Sequence, residues 1–236
     1  MRFGPGYHVT IGPAMTPMVK YLVIGCGITF LYQWAAGPSL LGIFGLIPIE
    51  VVASLYIWQL GTYLFLHADF WHLFWNMFTL WMFGRELERY WGSRQFLRFF
   101  MITGIGAGLL SVVVDPRGTI PTIGASGSIY GILMAYGMMF PNRRIYLYFL
   151  LPVKVKYFVA GIGLIAFLSA LSSPGSTIAH VAHLGGMIFA FLYLKRWLSL
   201  GAVRQAYHRW RLKRMRSRFR VLDEERRNRK DDYWIQ

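Results

Sequence analysis

The sequence predicts an all-α, polytopic membrane protein, a bundle of six spanning helices. Three observations carry this. Of 236 residues, 56% are hydrophobic and only 15% charged, where a soluble globular domain has about 25% charged residues. Apolar runs near the ~20-residue length that crosses a bilayer recur along the chain. The Lys and Arg residues between those runs collect in alternate connections, the asymmetry that orients membrane helices. The single Cys26 lies inside the first apolar run and leaves no internal disulfide.

The elements follow in order. The first 17 residues lack a basic region followed by a short apolar core, so the first span is expected to stay as a signal anchor. Span 1 covers about Met18 to Trp34. Residues 35–68 are apolar but interrupted by Gly37, Pro38, Gly42, Gly45 and Pro48, too irregular for a crossing helix and suited to the interface. Span 2 covers about Phe70 to Phe83 and ends in a charged turn, Arg85 to Arg94, with Glu88 expected to pair with Arg. Span 3 covers Phe96 to Val114, and span 4 Gly124 to Phe140. A mixed apolar and basic loop, Tyr146 to Lys156, precedes span 5, Tyr157 to Leu171. A turn at residues 172–176 leads to span 6, Ile178 to Leu194. The domain layout is thus an N-terminal segment 1–17, a six-helix domain 18–198 and a basic tail 199–236.

Arg85, Arg89, Arg94 and Arg98 flank the second connection, and Arg143, Arg144, Lys154 and Lys156 the fourth; the opposite connections carry only Arg117. The positive-inside rule then puts both termini in the cytoplasm, in the inner membrane if the cell is bacterial. From Lys195 onward there are 14 Lys/Arg against 5 Asp/Glu, so the net charge of +15 is mainly a property of the tail. Val203, Tyr207, Trp210, Met215, Phe219 and Leu222 recur there at roughly helical spacing, which reads as a basic amphipathic helix on anionic lipid. No nucleic-acid partner is expected, because nothing beyond charge points to one.

This topology puts the polar groups of three spans at one depth, just below the outer surface. Ser126 falls in the first turn of span 4, His72 and Asn76 in the first two turns of span 2, His180 and His183 in those of span 6. Ser126 is a packing serine bonded back to its helix, or a nucleophile whose flanking glycines leave the backbone open and whose helix-start N–H groups can stabilise an oxyanion. His183 is a neutral core imidazole, or the general base that takes the Ser126 proton. The small residues Gly127, Gly131 and Ala135 on span 4, and Ala182, Gly186 and Ala190 on span 6, let the two helices approach closely. Tyr130, one turn from Ser126, can stack on the imidazole. His72 and Asn76 share a face, as an interhelical hydrogen-bonded pair or as oxyanion donors. His180 reads as an outer-rim hydrogen-bonding residue. No metal and no cofactor are expected: the spans lack carboxylates and any metal-ligand spacing.

At these residues the chain resembles the rhomboid intramembrane serine proteases. Gly124-Ala125-Ser126-Gly127 resembles the family's G-x-S-G motif, Ala182-His183-Leu184-Gly185-Gly186 its A-H-x-x-G motif, His72 to Asn76 its H-x-x-x-N motif, and Glu88 to Ser93 its E-x-x-x-G-S turn. The resemblance implies a Ser126–His183 dyad with no acidic third member. It places Asn76, His72, Gly124 and the Ser126 backbone N–H around the oxyanion and substrate, with Tyr130 and His180 supporting the dyad. It also implies a membrane-embedded first loop, a lateral gate and cap formed by span 5 and residues 172–177, and transmembrane proteins as substrates. Two departures stand out: the family's Trp-Arg pair in the first loop is Trp58-Gln59 here, and the second glycine of the span 6 face is Ala190. The alternative is a catalytically inactive rhomboid-like chaperone that binds membrane clients, a class without the dyad. A transporter is disfavoured by the lack of intramembrane carboxylates and of an inverted repeat.

Overall fold

The computed structural model describes residues 14–37, 39–147, 151–172 and 180–196. Expectations for the 172–177 turn, the first residues of span 6, the N-terminal stretch and the tail fall wholly or mainly outside them. The chain divides into two units, Met1–Leu192 and Tyr193–Gln236. In the second, residues 193–196 are described and are helical.

The first unit is a mostly helical membrane fold. Helix α1 runs Pro17–Ala36, with Pro at its first position, where a missing N–H costs nothing. The irregular stretch after it folds into short helices, α2 (Ser39–Phe44), α3 (Pro48–Ala53) and α4 (Gln59–Thr62), and a 3₁₀ turn at Tyr63–Phe65. Helix α5 is Phe70–Thr79; it passes through a π turn, Leu80–Gly84, directly into α6, Arg85–Trp91. The charged segment expected as a turn is therefore helix. The chain reverses only at Gly92, whose φ of 79° favours glycine, and α7 starts at once, Ser93–Val114.

Helix α8 is Ser126–Met139 and α9 is Val155–Ser172. The loop expected between them contains a hairpin, β1 (Arg144–Leu147) against β2 (Leu151–Lys154), with Arg144 opposite Lys154. Helix α10 is described from residue 180 to residue 192 in this unit.

Among the described residues, α1 and α7 are long and apolar enough to cross a membrane on their own, and Val155–Leu171 is a shorter apolar helix. Residues 118–124 run in extended form against the first connection: Leu46 bridges Thr122 with both bonds at 2.9 Å, Ile49 N donates to Gly118 O, and Gly124 N donates to Tyr63 O.

The core lies around α8. Its Gly127, Ser128, Ile129, Gly131, Ile132, Leu133, Ala135 and Tyr136 are buried. Against α7, Ser128 Oγ donates to Phe100 O at 2.7 Å, and Gly104 leaves that hydroxyl its room, since a Cβ there would come within 2.4 Å of it. Against α10, a Cβ on Gly186 would sit 1.8 Å from Gly127 O, so the two backbones touch. A Cβ on Gly131 would lie 3.1 Å from Gly186 O, and Ala190 is fully buried. Close small-residue contact of this kind is how membrane helices associate without a hydrophobic drive.

Glu88 ties α1 to α6. Its carboxylate accepts from the Thr16 hydroxyl, from Met18 N at 2.8 Å, from Val19 N at 2.9 Å and from Ser93 Oγ at 2.5 Å. Its partners are hydroxyls and the free N–H groups of a helix start, where a negative charge is favoured, and not the arginines expected from sequence. Burial pushes this carboxyl up, and the four hydrogen bonds outweigh it and hold it below the usual carboxylate range. Arginine pairing occurs two residues earlier, where Glu86 meets Arg143 and Tyr136.

Candidate active site

Three helices, α5, α8 and α10, meet at the end of the bundle marked by the 118–124 segment. Ser126 is the first residue of α8. Its approach is set by Gly124, whose φ of 115° suits glycine. A Cβ at Gly124 would stand 2.7 Å from His72 Nε2. The same glycine thus provides both the turn and the space for an imidazole against the backbone.

His72 enters from α5. Asp69 caps that helix, its Oδ1 accepting from His72 N at 2.8 Å. Ala68 N donates to His72 Nδ1 at 3.3 Å, so a neutral His72 carries its proton on Nε2, the atom that faces Gly124. Asn76 is buried and donates through Nδ2 to His72 O, one turn back, at 2.7 Å. That bond lies within α5, not between helices.

His183 enters from α10. Its Nε2 lies 2.9 Å from Ser126 Oγ. The Tyr130 ring stacks on the imidazole with centroids 4.2 Å apart and planes 3° from parallel. Among the described residues, His183 Nδ1 is buried and has no hydrogen-bond partner. With Nε2 accepting from a serine hydroxyl, the proton of the neutral ring sits on Nδ1. Orientation therefore comes from ring stacking and not from a carboxylate. His180 meets His183 edge to face at 5.9 Å. No group of three or more metal-ligating side chains occurs among the described residues.

Two supporting residues were missed by the sequence reading. Tyr63 is buried, accepts Gly124 N through its carbonyl at 2.9 Å, and donates its hydroxyl to Gly104 O at 2.8 Å. It joins the segment before Ser126 to α7. His67, in the connection before α5, is fully buried. Its N–H and C=O bond the two ends of the Gln33 amide, at 3.2 and 2.8 Å. Burial, and then the neighbouring His72, push the His67 imidazole down to about 4. A fully buried Tyr or His inside an apolar run carries no periodic signal, so neither could be singled out by spacing.

Gln59 replaces the expected arginine and is fully buried. Its Oε1 accepts Ile47 N at 2.9 Å, and its Nε2 donates to Gly42 O at 3.1 Å and Ile43 O at 3.4 Å. Trp58 Nε1 donates to Ile43 O at 2.9 Å. The first connection is therefore pinned by a neutral amide and an indole.

A helical substrate edge or an ester carbonyl placed above Ser126 would find a hydroxyl paired with a base, an N–H on His72 and the free N–H groups of the α8 start. That set can carry out acyl transfer. The family described as Rhomboid domain matches residues 54–199, well over half of the chain. Rhomboid protein 1, mitochondrial, of Saccharomyces cerevisiae is 33% identical over 134 residues, 55% of this chain and 38% of that protein. Rhomboid protease GluP of Bacillus subtilis is 30% identical over 181 residues, 74% of this chain and 34% of its own. RHOMBOID-like protein 1 of Arabidopsis thaliana is 32% identical over 163 residues, 66% and 39% respectively. The chain spans less than two fifths of the length of each of these relatives.

Proposed function

The chain belongs to the rhomboid family, and from that membership we propose that it is an intramembrane serine endopeptidase acting on transmembrane or membrane-adjacent segments of other proteins. The observation that carries this reading is the 2.9 Å contact of Ser126 Oγ with His183 Nε2 under the stacked Tyr130 ring. Ser126 is the nucleophile and His183 the general base. The Ser126 proton passes to His183 Nε2 as Oγ bonds to the scissile carbonyl carbon. The oxyanion accepts from the Ser126 backbone N–H, His72 Nε2–H and the free N–H of Asn76. Collapse breaks the C–N bond, and the Nε2 proton leaves with the new amine. A water then gives a proton to His183 Nε2 as its oxygen bonds to the acyl carbon, and collapse breaks the C–Oγ bond as that proton returns to Ser126 Oγ, releasing the acid and restoring the dyad.

In this reading the domain spans residues 18–198 with six crossings, both termini are cytoplasmic, and the site lies beneath the outer surface. The 199–236 tail rests on anionic lipid. Gly127, Gly131, Gly186 and Ala190 bring α8 and α10 together, and His180 closes the outer rim. The substrate helix must unwind locally to present a carbonyl, so small and helix-weakening residues around the cut are favoured.

The test is cleavage of a labelled model transmembrane substrate in detergent, with a fluorophosphonate probe run alongside. Wild type cleaves and labels; Ser126→Ala does neither. Equal cleavage by both proteins rejects the assignment. Absence of both cleavage and labelling in folded wild type favours the client-binding alternative.

A further inference from the structure

A second feature of the molecule lies on the far side of α5 from the dyad. An apolar groove of about 340 Å³ runs between α1 and α5. Its α5 wall is the stripe Phe70, Phe74, Met77 and Trp81; on α1 it is lined by Val23 and Gly27. A Cβ added at Gly27 would meet nothing within 4 Å, so the floor is open and not a packed contact.

The two walls run antiparallel. The start of α1 is bonded to Glu88 on α6, and Gln33 near its end is bonded to His67 before α5. One end of the groove therefore lies beside α6. At that end each wall finishes in a cation. Arg85 continues the α5 stripe, its guanidinium 5.1 Å over the Trp81 ring that lines the groove. Lys20 is exposed and stands at i−3 from Val23 and i−7 from Gly27, on the same face of α1.

We propose that this groove is a binding site for one anionic phospholipid. An acyl chain lies along the α1–α5 cleft, and the phosphate sits between Lys20 and Arg85. The apolar walls exclude a polar ligand, and the paired cations distinguish an anionic head group from a zwitterionic one. Met15 lines the same groove at the α6 end, so its apolar section reaches the level of the two charges. The site is independent of the Ser126 chemistry.

The test is native mass spectrometry of the full chain in mild detergent, titrated with phosphatidylglycerol and phosphatidylcholine of matched acyl chains. Wild type retains one phosphatidylglycerol in clear preference to phosphatidylcholine. Lys20→Gln and Arg85→Gln each weaken that retention roughly fivefold. Gly27→Leu, which fills open space, abolishes retention of that lipid. Each variant carries the same basic tail, so lipid held by the tail cancels in the comparison. Far-ultraviolet circular dichroism and gel filtration show that each variant is folded. Equal retention of the two lipids by wild type overturns the proposal. So does phosphatidylglycerol retention unchanged in Gly27→Leu and in both charge variants, or a dimer that Gly27→Leu disperses.

Discussion

A hydroxyl and an imidazole 2.9 Å apart matter chemically only if the ring is held edge-on to the serine. A carboxylate holds such a ring by charge; here an aromatic face does it, and among the described residues nothing bonds Nδ1 in its place. Tyr130→Phe keeps the ring and should retain most of the cleavage rate. Tyr130→Ala removes about 1 kcal/mol of aromatic contact and frees the imidazole, so kcat should fall tenfold or more with KM nearly unchanged. Steady-state kinetics on the model substrate check this; equal rates for the two variants would mean that the hydroxyl or something else orients the ring.

His67 offers a different single-residue test. Its folded pKa of about 4 lies below the ordinary 6.5, so the unfolded chain binds the proton first. The neutral ring therefore contributes fully above pH 6.5, and stability falls as pH drops from there toward 4, by at most about 3 kcal/mol. Thermal unfolding in detergent across that window should show the slope in wild type and a shallower one in His67→Leu.

Among elements, the first connection shows what patterning can and cannot reveal. Its glycines and prolines ruled out a crossing helix, and short helices replace one. Where the segment attaches was hidden, because attachment runs through backbone groups: Leu46 with Thr122, Ile49 with Gly118, Tyr63 with Gly124. Gln59 is the side chain that closes the connection on itself, satisfying one N–H and two carbonyls. Gln59→Leu takes the side-chain partner from Ile47 N and Gly42 O, while Ile43 O keeps Trp58 Nε1, a cost of about 1–3 kcal/mol at most for a group left without a partner. We expect Gln59→Leu to lower Tm by several degrees and to slow fluorophosphonate labelling of Ser126, because the 118–124 segment loses its backing. Unchanged labelling in a destabilised Gln59→Leu would show that the connection supports the fold but not the nucleophile.

Other elements were legible for clear reasons. Helix α7 is a long apolar run with no internal break, and its sequence bounds miss the observed start by three residues because Gly92, not the charged stretch, turns the chain. Residues 85–91 misread as a turn because they are rich in charge, and polarity alone does not distinguish a loop from a helix end whose charges are solvated or, like Glu88, capped by donors. Ser126 and His183 stood out because each is a chemically capable side chain at the start of an apolar run and each sits near a glycine that the packing requires. Gly186 leaves no space even for a methyl group beside Gly127 O. The partner of the Tyr63 hydroxyl and the α1 partners of Glu88 were not legible, since they come from 41 and about 70 residues away.

For the whole molecule the open question is which end of the bundle faces out, and the charges answer it with a testable order. Thr119 lies in the connection before α8 and Asn142 in the one after it, so the two sit at opposite ends of that helix, and both are exposed. The connection before α8 carries only Arg117, while the next carries Arg143, Arg144, Lys154 and Lys156. By the positive-inside rule the first is external and the second cytoplasmic. Cys26 is fully buried in α1, so its thiol gives little background to a polar reagent. A membrane-impermeant maleimide on intact cells should therefore label Thr119→Cys, and should reach Asn142→Cys only after permeabilisation. Ser217→Cys in the tail should behave as Asn142→Cys does. Labelling of Asn142→Cys from outside would invert the bundle and put the dyad beneath the cytoplasmic surface. Labelling of Thr119→Cys and Ser217→Cys together from outside would instead leave an odd number of crossings after α8, and the six-span layout would fail although the Ser126–His183 contact stood.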